Sequence, residues 1–121
     1  MVSGQQTFPR NLRLTDPNHY QQVFKKGCRS RHATLGIVAK ANGLDYPRLG
    51  LAVSRKVSRK AVIRNRIKRV TREFFRREQG RLAALDFVIV AYPDAARATH
   101  SELTETLARL SQKICQLCAK S

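Results

Sequence analysis

The chain has 121 residues, 42% of them hydrophobic, with 24 lysines and arginines against 8 aspartates and glutamates. This length and composition predict one folded domain, and they exclude a disordered chain or two domains with separate cores. The formal net charge of +16 predicts a polyanionic partner, because phosphates neutralise the cations and release condensed counterions. An anionic membrane is the alternative, but no stretch reaches the ~18 consecutive apolar residues that a spanning helix needs.

The N-terminal residues MVSGQQTFPR lack the charged-then-apolar order of a secretion signal. Residues 1–14 are predicted to be a flexible basic arm of a single domain that spans residues 1–121. The cysteines are odd in number, which argues against a disulfide framework and favours a reducing cytoplasm. They are Cys28, Cys115 and Cys118.

Residues 15–27, TDPNHYQQVFKKG, predict a short helix. Thr15 or Asp16 is suited to cap it, Pro17 to its first turn, and Gly27 to its end. Its apolar residues are spaced three and four apart, as a one-sided helix requires. These residues are Tyr20, Val23 and Phe24.

Residues 33–39 and 48–54 predict two paired strands, because the segment 40–47 between them is rich in turn-forming residues. Alternation places large apolar side chains on one face: Leu35, Ile37, Leu49, Leu51 and Val53. The other face carries mostly small residues: Thr34, Gly36, Val38, Gly50, Ala52 and Ser54. Such a face either lets an extended ligand approach the backbone or is an ordinary exposed surface, and the pattern does not separate the two.

Residues 59–77, RKAVIRNRIKRVTREFFRR, predict a helix with two different faces. Its apolar stripe, expected to pack on the core, consists of Ile63, Ile67, Val70 and Phe74. Phe75 lies off the edge of this stripe, and core packing is expected for it as well. The opposite side is polar and basic: Asn65, Lys68, Arg69, Arg72 and Arg76, with Arg64 and Arg66 on the flanks. A merely solvated face normally intersperses acids, so this one predicts contact with nucleic acid.

Residues 86–92, DFVIVAY, are a continuous apolar run and predict a strand that is covered on both faces. Residues 99–118 predict a final helix that begins with a capping box between Thr99 and Glu102. Its expected core stripe is Leu103, Leu107, Leu110, Ile114 and Leu117. The order of helix, two or three strands, helix, strand and helix indicates an α+β domain.

Several observations favour RNA over DNA. The sequence has no helix-turn-helix spacing, zinc-finger ligands or leucine heptads. A footprint spread over several elements suits a folded RNA better than one groove of a duplex. Basic residues outside the basic helix include Arg10, Arg13, Lys25, Lys26, Arg29, Arg31, Arg48, Arg55 and Lys56. Neither DNA nor a membrane is expected as a partner.

The stretch RLGLAVSRKVSRKAVIRNRIKRVTREFFR, residues 48–76, resembles the signature region of the bacterial ribonuclease P protein components. RNRIKR, residues 64–69, is its most distinctive part, and the resemblance extends from residue 13 into the last helix. It implies an α-β-β-β-α-β-α sandwich with a left-handed βαβ crossover, similar to a domain of a small-subunit ribosomal protein.

The resemblance also implies a partner, the catalytic RNA subunit of ribonuclease P, which removes the 5′ leader of precursor tRNA and requires Mg²⁺. Positions that match the family's RNA-binding motif are Arg64, Asn65, Arg66, Lys68, Arg69 and Arg72. Positions that match its leader-binding cleft are Tyr20, Phe24, Val38, Ser54, Lys56 and Arg59. Val38 replaces an aromatic residue of some relatives, so only apolar contact is expected there.

No residue of this chain is predicted to be catalytic. A metal-dependent nuclease needs clustered carboxylates, and the acids are scattered along the sequence: Asp16, Asp45, Glu73, Glu78, Asp86, Asp94, Glu102 and Glu105. The histidines, which would serve a metal-free ribonuclease, lie in unrelated segments: His19, His32 and His100. The alternatives are a ribosomal or general structured-RNA-binding protein and a self-sufficient nuclease.

The motif CQLC, residues 115–118, is predicted to serve packing and not to bind metal. Cys115 and Cys118 share one side of the helix and behave as small apolar residues. A structural zinc site needs four ligands, and Cys28 is remote in the sequence.

Overall fold

The structure, a computed structural model, describes residues 17–119. Its elements are α1 (Pro17–Lys26), β1 (Cys28–Arg31), β2 (Leu35–Ala41), β3 (Arg48–Ala52), α2 (Ala61–Glu78), β4 (Leu85–Ala91), a 3₁₀ helix (Pro93–Arg97) and α3 (His100–Ala119). This confirms the α+β class and the order α-β-β-β-α-β-α. The predicted basic arm and the caps Thr15 and Asp16 lie outside the described residues.

The strands form one mixed sheet in the order β1-β2-β4-β3. β4 is antiparallel to β2 and parallel to β3, and α2 connects the two parallel strands. The prediction that segments 33–39 and 48–54 pair with each other is therefore wrong, because β4 lies between them. A strand in the middle of a covered sheet requires a nearly continuous apolar sequence, as found in β4.

The two faces of the sheet have different coverings. On one face, Leu35, Ile37, Leu49 and Phe87 belong to the main core with residues of α2 and α3. On the other face, Val38 and Val88 are buried together with Val23 of α1. The predicted alternation of large and small residues is confirmed. α1 covers only part of this second face of the sheet, since Ala52 and Val90 remain partly exposed.

The apolar stripe of α2 faces the core as predicted. Ile67, Val70 and Phe74 are buried, and Ile63 is partly buried against the same cluster. Phe75 is also buried and meets Phe87 edge-on, with ring centroids 5.4 Å apart. The buried side of α2 is therefore wider than the predicted stripe.

On α3, the predicted core residues Leu103, Leu107, Leu110 and Ile114 are buried. The prediction for Leu117 is wrong, because its side chain is 40% exposed. Cys118, one position later, turns inward instead, and its thiol donates a 3.6 Å hydrogen bond to the carbonyl of Ala39.

A nearly buried ion pair joins the two parallel strands at their first paired residues. Arg48 and Asp86 are register partners, and the guanidinium donates from Nε to Oδ1 and from Nη2 to Oδ2, each at 2.8 Å. Asn42 donates to the same Oδ1 at 3.1 Å. Arg48, which the sequence placed in the basic footprint, is thus directed into the protein.

The predicted capping box is confirmed at the start of α3. The backbone N–H of Thr99 donates to Oε1 of Glu102 at 2.8 Å, and the N–H of Glu102 donates to Oγ1 of Thr99 at 3.1 Å. These hydrogen bonds hold the pKa of Glu102 below its ordinary value of 4.5, and the one from the Thr99 backbone has the largest effect.

This capping interaction predicts a pH-dependent effect of Glu102→Gln. Because the folded-state pKa is lowered, the carboxylate stabilises the fold above pH 4.5, and the contribution is lost as the pH falls through the folded-state pKa. Urea unfolding of wild type and variant should therefore show a stability difference that shrinks on acidification. Asp45→Asn, at an exposed position between β2 and β3, is the control. A difference that stays constant with pH would contradict the assignment.

Candidate nucleic-acid interface

α2 presents cationic side chains to solvent on the side opposite its buried stripe. Asn65, Arg69 and Arg72 are exposed, and Lys68 and Arg76 are partly exposed. Because the apolar residues hold this helix on the core, the guanidinium groups stand on a rigid support. Arginine in such a position suits phosphate oxygens, which its planar fork binds in pairs.

Arg64 and Arg66, which are also predicted to contact RNA, donate hydrogen bonds to backbone carbonyls of the protein. Arg64 donates from Nη1 to the carbonyls of Ser58 at 2.8 Å and Arg59 at 3.0 Å. Arg66 donates from Nη2 to the carbonyl of Ala96 at 3.1 Å. A guanidinium has five N–H donors, so each arginine retains donors for a second partner. Arg64 fixes the loop between β3 and α2, and Arg66 fixes the 3₁₀ helix to α2.

The loop between β3 and α2 forms an open depression of about 620 Å³ with a cationic lining. Its lining residues are Arg55, Lys56, Ser58, Arg59 and Arg64. The hydroxyl of Ser54 accepts a 3.3 Å hydrogen bond from the backbone N–H of Lys56, which helps to order the loop. Lys56 and Arg59, both predicted cleft residues, are exposed here. The depression is suited to bind phosphate.

Tyr20 occupies the small-residue face of the sheet. A Cβ atom at Gly50 would lie 2.6 Å from Cζ of its ring, so only glycine accommodates the tyrosine there. The tyrosine hydroxyl accepts a 3.1 Å hydrogen bond from the N–H of Leu51. At this position the absence of a side chain makes room for the protein's own ring and not for the backbone of an extended ligand.

Phe24 and Val38 differ in what they offer to a ligand. Phe24 is partly exposed at the edge of the cluster that contains Val23 and Val88. Val38 is only 5% exposed, and its side chain packs beneath α1. The apolar contact with a leader that is expected there stays a prediction.

Sequence reasoning counted Arg31 only among the basic residues and missed its contact with Tyr92 on this face of the sheet. A Cβ atom at Gly36 would lie 2.6 Å from the Tyr92 hydroxyl, and the Arg31 guanidinium lies 4.7 Å above the Tyr92 ring centroid. To predict this contact, one must know that Arg31 pairs with Gly36 on the adjacent strand. No local pattern in the sequence carries that information.

Within residues 17–119, no group of three histidine, cysteine or acidic side chains is arranged to hold a metal ion. Cys28, Cys115 and Cys118 form no disulfide bond in this range and pack against the main core. Burial, and then the neighbouring Cys28, raise the pKa of Cys118 to about 12, so this thiol is protonated at neutral pH. Cys28 is thus remote from Cys118 in sequence but not in space. In the same range, none of the helices has the length and apolar character to cross a bilayer.

Comparisons with known proteins identify the family. The family profile for ribonuclease P matches residues 8–115. A ribonuclease P protein component of Vibrio cholerae is 46% identical over 107 residues, which covers 88% of this chain and 91% of the relative. The one from Proteus mirabilis is 40% identical over 114 residues, covering 94% and 96%.

A solved structure agrees with these relatives. A Staphylococcus aureus ribonuclease P protein, described as a mutant with defective mRNA degradation activity, is 26% identical, has a TM-score of 0.84, and covers 93% of this chain and 96% of its own. Since the profile, the sequence identities and the shared fold all extend over most of its length, this chain belongs to the family of ribonuclease P protein components.

Proposed function

We propose that this member of the ribonuclease P family binds the catalytic RNA subunit through the exposed side of α2. The observation that carries this proposal is the division of one helix into a buried apolar side and an exposed arginine side. Asn65, Lys68, Arg69 and Arg72 contact the RNA directly. Arg64 and Arg66 contact the RNA through the N–H donors that are not used in their hydrogen bonds to backbone carbonyls.

The face of the sheet beside α1 is the proposed site for the single-stranded 5′ leader of precursor tRNA. Tyr20 and Phe24 supply partly exposed rings against which bases pack. Ser54, Lys56 and Arg59 follow directly after β3, where exposed cations meet leader phosphates. The substrate is therefore recognised by stacking and charge, which are tolerant of base sequence.

In this proposal the hydrolysis belongs to the RNA subunit, with Mg²⁺ bound by that RNA. The protein contributes cations that screen repulsion between the phosphates of enzyme and substrate. Two of the described acidic residues serve other purposes, since Asp86 pairs with Arg48 and Glu102 caps α3. The complex acts in the cytoplasm, consistent with three cysteines that form no disulfide bond within residues 17–119.

Cleavage of precursor tRNA at low Mg²⁺ tests this proposal. The RNA subunit alone should cleave slowly, the protein alone should not cleave, and the two together should cleave quickly with a correct mature 5′ end. A protein-only reaction on mRNA belongs in the same experiment, because the Staphylococcus aureus relative is described by an mRNA degradation activity.

Each alternative predicts a different outcome. Cleavage by the protein alone would support a self-sufficient nuclease. A failure to stimulate the RNA subunit, with equal affinity for an unrelated folded RNA of the same length, would support a general RNA-binding protein.

A further inference from the structure

The open part of the sheet is flanked by two tyrosines that lie on the same face. Tyr20 packs over Gly50 on β3, and Tyr92, immediately after β4, packs over Gly36 on β2. The backbone N–H of Tyr92 donates to the carbonyl of Thr34 at 2.9 Å, so its backbone continues the ladder between β2 and β4. The Tyr92 ring therefore has a fixed position and does not belong to a free loop.

Arg31 completes an exposed stack at this end of the face. Residues directly opposite each other on antiparallel strands share a face, and Arg31 is the register partner of Gly36. Its guanidinium lies 4.7 Å from the centroid of the Tyr92 ring, and Arg31 remains exposed to solvent. The neighbouring Arg29 also faces this side, but it donates to the carbonyl of Phe24 at the end of α1.

The floor between the two tyrosines is apolar and partly exposed. It is formed by Ala52 of β3 and Val90 of β4, which are register partners. An extended chain that enters from the cationic loop after β3 can cross this floor to Tyr92. The path runs from one sheet edge, β3, towards the other, β1.

We propose that the Arg31–Tyr92 stack is a second base-binding position for single-stranded RNA, beyond the position formed by Tyr20 and Phe24. This rests on the proposed leader site and assigns to its far end one unpaired nucleotide of the precursor. The base stacks on the guanidinium or the tyrosine ring, which unstacked bases do readily. Stacking uses the face of the guanidinium, so its in-plane N–H donors remain directed at the phosphate of that nucleotide.

The experiment measures the affinity of the holoenzyme for precursor tRNAs whose leaders are lengthened one nucleotide at a time, with mature tRNA as the zero point. Wild-type affinity should rise with each nucleotide that reaches the face. Tyr92→Leu should lack the last of these increments, so its affinity for the longest leader should be about tenfold lower than that of wild type. Stacking of one base on an aromatic ring contributes roughly that factor to affinity. Affinity for mature tRNA and the shortest leader should be unchanged.

Three further variants separate stacking from structure. Tyr92→Phe keeps the ring and should retain the increment, whereas Arg31→Gln removes the charged layer and should reduce it. Arg81→Gln removes an exposed arginine from the turn after α2 and should leave the whole series unchanged. Thermal unfolding of each variant identifies a general loss of stability.

The outcomes are distinguishable. If wild type gains affinity with leader length and Tyr92→Leu follows it at every length, the second position is refuted while the leader site stands. An equal loss at all lengths, mature tRNA included, would also refute it and give Tyr92 a purely structural role. If wild-type affinity does not depend on the leader, both the leader site and this extension of it are wrong.

Discussion

The double variant Arg69→Ala, Arg72→Ala is expected to bind the catalytic RNA subunit about 10- to 50-fold more weakly than wild type near 0.1 M salt, because each lost phosphate contact also forfeits counterion release. Both side chains are exposed on the side of α2 opposite its buried stripe. Their removal should therefore leave the fold intact. Similar near-ultraviolet circular dichroism spectra and similar thermal unfolding curves for variant and wild type would verify that the fold is intact.

The salt dependence of binding is the sharper measurement. Each phosphate contact contributes about 0.7 to 0.9 to the slope of log K against log salt, so the double variant should lose roughly 1.5 from that slope. The control is Arg81→Ala, Lys113→Ala, which removes the same charge from exposed positions outside this side of α2. Equal slopes for the double variant and wild type would show that the RNA binds elsewhere.

Asp86→Ala is expected to lower the free energy of unfolding by about 3 to 5 kcal/mol, the usual cost of removing one partner of a buried ion pair. The Asp86 side chain is 8% exposed and that of Arg48 is 19% exposed, so water does not readily replace the lost carboxylate. Small domains are stable by only about 5 to 15 kcal/mol, so this variant should be close to unfolding. Urea denaturation followed by circular dichroism measures the effect.

Two comparisons test the cause of that loss. Asp94→Ala removes an exposed acid from the 3₁₀ helix and should change stability little. The double variant Arg48→Met, Asp86→Leu should recover much of the stability, because an apolar pair often replaces a buried ion pair without a net cost. If Asp86→Ala is as stable as Asp94→Ala, the ion pair does not hold β3 and β4 together.

The helices and the central strand were predictable because their signals are local. In α2, Ile67, Val70 and Phe74 repeat with the helical period, and the structure buries all of them. The Thr99–Glu102 capping box also lies within one turn of chain. Periodicity does not define the inner side of a helix closely, which is why Leu117 was assigned to the core in place of Cys118.

Features that depend on strand order were not predictable. Two strands separated by a turn-rich segment usually pair, but here β4 inserts between β2 and β3 after a crossover through α2. The Arg48–Asp86 ion pair and the contact of Arg31 with Tyr92 both follow from that order. β1, with the sequence CRSR, has no apolar alternation, and only its pairing with β2 makes it a strand.

We expect the hydrogen bonds of Arg64 to make the two proposed RNA surfaces thermodynamically interdependent. Its guanidinium belongs to α2, yet it holds the carbonyls of Ser58 and Arg59 in the loop that carries Lys56. If the catalytic RNA subunit accepts hydrogen bonds from this arginine, the restraint on the loop changes. A leader that orders the loop would in turn change how the Arg64 side chain is held. Such cooperativity is reciprocal by necessity, so the gain in substrate affinity on assembly equals the gain in assembly on substrate binding.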